Sequence, residues 1–92
     1  MYRLKAGEAN RYNIYPVPND GEFSFSIITP DEQEFNITIY DQLGQKIYEQ
    51  THLIVNGEFI KSMDLRPIST GVYTVIFRNS AGNMVKKFTV NK

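Results

Sequence analysis

Short runs of alternating apolar and polar residues, each closed by turn residues, recur along the chain. They begin at Glu22, Phe35, Lys46, Glu58, Val72 and Met84. That spacing, roughly 11 to 14 residues, is the rhythm of an antiparallel sandwich rather than of strand-helix units. Phe23, Phe25 and Ile27 fall on one strand face, as do Phe35, Ile37 and Ile39, because side chains alternate across a strand. No stretch carries a helical period. Tyr12-Asn13-Ile14-Tyr15 adds a short edge strand. The expected fold is therefore all-β, an immunoglobulin-like antiparallel β-sandwich of about seven strands. The domain is expected to span residues 12–92, with the polar residues 1–11 a linker or residues added ahead of it.

The turns have readable chemistry. Pro16 and Pro18 fix φ and bias Tyr15 and Val17 toward extended backbone. Asn19-Asp20-Gly21 follows as a tight turn that delivers the chain into the strand at Phe23. Asp41-Gln42-Leu43-Gly44 reads as a hairpin turn with Gly44 at the position needing positive φ. Asn56-Gly57 is the strongest two-residue hairpin signal, and Asn79–Asn83 marks another turn. The run from Val72 to Phe77 is apolar on both faces, which predicts a central strand at least partly covered on both sides.

Composition removes several functions. Ten basic residues balance ten acidic ones, whereas a phosphate-binding surface needs a basic excess, so nucleic acid is not expected as a partner. No apolar run approaches the ~18 residues of a membrane span, and no charged-then-apolar start suggests a signal peptide or direct membrane insertion. With no cysteine there are no disulfides and no thiolate metal sites.

No catalytic constellation is visible. His52 is the single histidine, and no motif gives it a nucleophile or an orienting acid. It reads as an exposed polar residue. Asp31, Glu32 and Glu34 cluster in one predicted loop, but their spacing matches no EF-hand loop. No cofactor is expected. The Asn36-Ile37-Thr38 sequon lies inside a predicted strand and occurs often by chance. The six glycines are scattered one to a turn and form no phosphate cradle. Most of the six Tyr and six Phe residues read as core. Tyr40 and Tyr48 flank the Asp41–Gly44 turn, and an outward pair there could stack on a sugar or a protein partner. That is the support for an alternative reading, a non-catalytic accessory module binding carbohydrate or protein at a cell surface.

The last strand carries Lys86 and Lys87. If Met84, Phe88 and Val90 face inward, a period of two turns Lys86 inward with them. A lysine there fits an edge strand protected against further pairing, and it equally fits a strand offered to a partner.

Four blocks, taken in order, resemble the C-terminal sorting domain of type IX secretion (Por secretion) substrates in Bacteroidetes. Residues 15–23 (Tyr-Pro-Val-Pro-Asn-Asp-Gly-Glu-Phe) are similar to the family's proline-turn-strand start. Residues 37–47 (Ile-Thr-Ile-Tyr-Asp-Gln-Leu-Gly-Gln-Lys-Ile) resemble its hairpin. Residues 63–75 (Met-Asp-Leu-Arg-Pro-Ile-Ser-Thr-Gly-Val-Tyr-Thr-Val) resemble its Asp-Leu to Gly-Val-Tyr block, and residues 84–92 (Met-Val-Lys-Lys-Phe-Thr-Val-Asn-Lys) its closing strand. Val17 stands where the family commonly has Asn, and Arg66 where Ser is usual.

The resemblance implies a tail that directs an upstream, covalently attached cargo across the outer membrane. Its partners would be the type IX secretion machinery and a sortase-like peptidase that removes the tail afterwards. It implies passage through the periplasm, then the cell surface or the medium, and no enzymatic activity in the tail itself. Recognition by the machinery is expected at Lys86, Lys87, Phe88, Val90 and Lys92. Cleavage is expected before Tyr15, where a polar linker leaves the backbone accessible.

Overall fold

The computed structural model describes residues 9–92. Five strands form one antiparallel sheet: β1 (Arg11–Tyr15), β2 (Glu22–Tyr40), β3 (Lys46–Asp64), β4 (Gly71–Asn79) and β5 (Gly82–Val90). The described residues contain no helix. β1 and β4 lie along one edge of β2, pairing with its first and last thirds, while β3 runs along the other edge. β5 completes the order beyond β4.

The two 19-residue strands are bent, and this folds the sheet onto itself. Pairing of β2 with β3 breaks between Ile28 and Glu32. The Thr29 hydroxyl, fully buried, donates to the Asp31 carbonyl (2.7 Å) and accepts from the Gly57 N–H (3.1 Å). Gly57, with φ near 93°, supplies the matching bend in β3. The two halves of β2 then face each other. Phe25 of the first half meets Phe77 of β4 at 6.0 Å between ring centroids, and Phe23 meets Phe88 of β5 at 4.6 Å. Phe25, Ile27, Phe35, Ile37, Ile39, Val75, Phe77, Phe88 and Val90 are sealed between the halves. Burying an aliphatic or aromatic side chain of this size stabilises a fold by about 1.5–3 kcal/mol.

The all-β antiparallel expectation holds, but the count is five strands and the seven-strand immunoglobulin-like arrangement is not found. Segments expected as separate strands at Glu22 and Phe35 are one continuous β2, and those at Lys46 and Glu58 are one continuous β3. Asn56-Gly57 is correspondingly a bend inside β3, with Asn56 opposite Glu32 and Glu58 opposite Ile28. The predicted acidic loop at Asp31–Glu34 lies within β2. The Asp41–Gly44 hairpin forms as expected, closed by Asp41 N–H to Gln45 O (2.9 Å) and Gly44 N–H to Asp41 O (3.0 Å). Of the expected linker, residues 1–8 lie outside the described residues, and Arg11 is the first residue of β1.

Because β2 and β3 each run out, bend and return, the domain has two ends. Residues 29–34 and 52–57 lie at the far end with the 79–82 turn. The loops 16–21, 41–45 and 65–70 lie at the near end with the last residues of β5.

Candidate recognition site

All four family-like blocks meet at the near end. The prolines carry the chain from β1 past the end of β5, with both the Tyr15–Pro16 and Val17–Pro18 bonds cis. Asn19 then does two things at once. Its side chain closes the local turn, accepting from Gly21 N–H (2.9 Å) and donating to Pro16 O (3.1 Å). Its backbone pairs with the closing strand as a parallel bridge to Val90: Asn19 N–H donates to Thr89 O (3.1 Å) and Asn91 N–H donates to Asn19 O (2.7 Å). A buried asparagine with both amide groups engaged satisfies the rule that buried polar atoms find partners.

The 65–70 loop is held against this turn. Leu65 N–H donates to Gly21 O (2.8 Å). Gly21 has φ near 106°, and a β-carbon there would stand 2.8 Å from Arg66 Cα. Only glycine permits both the backbone angle and that approach. Arg66 is clamped between carboxylates, with Nη1 2.9 Å from Glu22 and Nη2 2.8 Å from Asp64. The hydrogen bonds and charge of Arg66 hold the Asp64 carboxyl below its usual range, and Asp64 in turn raises the Arg66 guanidinium. Tyr73 is buried in the core, and its hydroxyl donates back to Ser69 O (2.5 Å), fixing the loop where β4 begins.

The hairpin block reaches the same place. The Gln42 side chain lies over Gly71, within 3.4 Å of where a β-carbon would sit. Tyr40, Asp41, Gln42, Gly44, Val72, Thr74 and Lys87 line an open cleft of about 440 Å³. Asp41 Oδ1 accepts from Leu43 and Gln45 N–H (both 2.9 Å), so the turn shapes one wall of that cleft.

The expected recognition residues separate into three kinds. Phe88 and Val90 are interior, 1% and 0% exposed, with Phe88 also stacked on Tyr73 at 5.6 Å. Lys87 is exposed on the outer face, at the cleft. Lys86 shares the Phe88 face and is half-buried on an edge strand. Lys92 is a tether: its N–H donates to Thr70 Oγ1 (3.1 Å), and its ammonium donates to the Arg66 carbonyl. Met84, expected inward, is 40% exposed, lying beside Asn10 and Tyr12 at the far end where the core thins.

Sequence reasoning missed Asn19, Thr70 and the Arg66 carbonyl as partners of the closing residues. The one local signal was Asn19 two residues before Gly21, an Asx-turn pattern. It also paired Tyr40 with Tyr48, which the fold separates. Tyr48 stands opposite the buried Ile39, packs against the core and is pushed up in pKa by burial, whereas Tyr40 lines the outer cleft. They form no shared aromatic platform. His52 pairs with Glu34 at 2.9 Å at the far end, well apart from these loops. Among the described residues no group of acidic and histidine side chains could hold a metal ion, and no helix is long and apolar enough to cross a membrane.

No curated protein matches the chain. The family described as the secretion system C-terminal sorting domain matches residues 13–91, a span that contains the last three residues of β1, all of β2 to β5 and the three loops of the near end. Such a signal implies interaction with the type IX secretion machinery and export to the cell surface or the medium. The chain belongs to the type IX secretion C-terminal sorting domain family.

Proposed function

We propose that this domain is read in its folded state in the periplasm and carries a covalently attached cargo across the outer membrane. A sortase-like peptidase then releases it by cutting ahead of Tyr15. The observation that supports this reading most is the convergence of all four blocks at one end, around the closing strand. A catalytic protein concentrates perturbed titratable groups in a cleft. Among the described residues, the resolved shifts belong instead to a surface ion pair and a tyrosine at the core margin.

The five expected recognition residues take different parts. Lys87, and Lys86 along the free edge of β5, offer side chains that have no hydrogen-bond or ion-pair partner among the described residues. Phe88 and Val90 act through the core, and Lys92 through the 65–70 loop. The test is a reporter placed behind a periplasmic signal and ahead of this chain, expressed in a Bacteroidetes host, beside a K86Q/K87Q version. Reporter at the surface or in the medium, reduced by the double substitution, supports the reading. A folded wild-type fusion that stays in the periplasm overturns it.

A further inference from the structure

Resting on that sorting reading, we propose that the machinery docks on a discontinuous surface made by residues 16–21, 65–70 and 91–92. On this view the closing residues matter chiefly because they tie the other two segments in place.

Each of the three segments is bonded to both of the others. Asn19 bridges to Thr89 and Asn91 through two backbone hydrogen bonds. Asn91-Lys92 reaches the second loop through Lys92 N–H to Thr70 and the ammonium to Arg66 O. The second loop returns to the first through Leu65 N–H to Gly21 O, at a contact too close for any residue but glycine. A linear signal would need none of this closure. The side chains a linear reader would grip, Phe88 and Val90, are inside the core.

The surface itself indicates its partner. Pro16, Pro18 and Pro67 are exposed, and Val17 between the first two is 50% exposed, giving a rigid apolar ridge. Beside it stand the carboxylates of Asp20, Glu22 and Asp64 and the cations of Arg66 and Lys92, all exposed. Mixed charge of this kind suits neither a polyanion nor a lipid headgroup layer. An added strand is excluded at this point because Asn19 already occupies the backbone of β5 there. A rigid apolar ridge with a charged rim fits a folded protein surface, buried apolar centre within polar border.

Two measurements on the full chain test this. The T70V/K92M variant removes the tether and leaves β5, the core, Lys86 and Lys87 unchanged. In hydrogen exchange, the Leu65 and Ile68 amides should exchange about tenfold faster than in the wild type while the β2 and β4 amides hold their protection. The corresponding reporter fusion should lose most of its export. A second variant, V17E, alters the ridge without touching a tether, so it should leave exchange unchanged and still reduce export. The proposal is overturned if T70V/K92M loosens the loop yet exports at the wild-type level, or if loop exchange does not change. A wild-type fusion retained in the periplasm overturns the sorting reading and the docking surface with it, while exchange still decides whether the tether exists.

Discussion

The two ends of the sandwich are held by different chemistry. At the far end the work is done by side-chain amides. Gln33 exchanges hydrogen bonds with Asn10 (2.7 and 3.1 Å), accepts from Asn79 (2.9 Å) and donates to Asp31 (2.7 Å). At the near end backbone pairing does more of it, Asn19 with Thr89 and Asn91 and Leu65 with Gly21, and the Asn19, Thr70, Tyr73 and Lys92 side chains reinforce it. A side-chain network is altered by any substitution among its members. A backbone network depends on chain path, so its sequence requirements fall mainly on proline, glycine and asparagine at the turns. The family-like blocks lie where backbone pairing supplies much of the holding, with the Lys92, Thr70 and Tyr73 contacts added to it.

The largest expected loss comes from the core that both ends share. Phe88→Ala should cost about 3–5 kcal/mol, a large share of a total stability of order 5–15 kcal/mol, as read by chemical denaturation. The glycines then separate the near end's close packing from simple turn strain. Gly21→Ala meets both a positive φ and the Arg66 backbone, and should cost about 2–3 kcal/mol. Gly44→Ala, at φ 82° with nothing within 4 Å, should cost about 1 kcal/mol. Equal losses at the two sites would remove the case for a tightly packed near end.

At the far end, Gln33→Ala deletes three partners at a part-buried position, and a loss of about 1–2 kcal/mol is expected. The smallest effect is electrostatic. The folded Asp64 carboxyl titrates below its unfolded value, so its contribution to stability is present above the unfolded pKa and is lost as pH falls through the folded one. Arg66→Gln should return Asp64 toward the ordinary carboxylate range in a carbon-detected titration. The wild-type shift should shrink with added salt, because the pair is exposed.

The sequence made the turns and faces legible because those are local. Alternation placed Phe25, Ile37 and Val90 inside, and Asp41–Gly44 announced its hairpin. It could not distinguish a bend from a turn. Asn56-Gly57 has the residues of a two-residue hairpin, yet whether the chain reverses there or continues as one bent strand is decided by what pairs alongside it. That neighbour is the interrupted stretch of β2 around Thr29, 28 residues away. For the same reason the part played by Lys92 was hidden, since its partners lie 22 and 26 residues upstream. The period of two turns Phe88 and Val90 inward, where they are found, but it turns Met84 inward too, and Met84 is exposed. The outward tyrosine pair failed because the pairing shifts between Ile39 and Tyr40, leaving Tyr40 and Tyr48 on opposite faces.

The most direct test of a folded signal is to unfold the domain without touching the closing strand. Phe25 is fully buried in β2, with its ring 6.0 Å from those of both Phe59 and Phe77, and lies outside residues 84–92. A reporter fused to the F25A chain keeps residues 84–92 intact as a linear sequence while losing the core. With periplasmic reporter levels matched, this fusion should remain in the periplasm while the wild-type fusion is exported. Export of F25A at the wild-type rate, with the domain demonstrably unfolded, would contradict recognition of the folded end and make the linear closing sequence the signal.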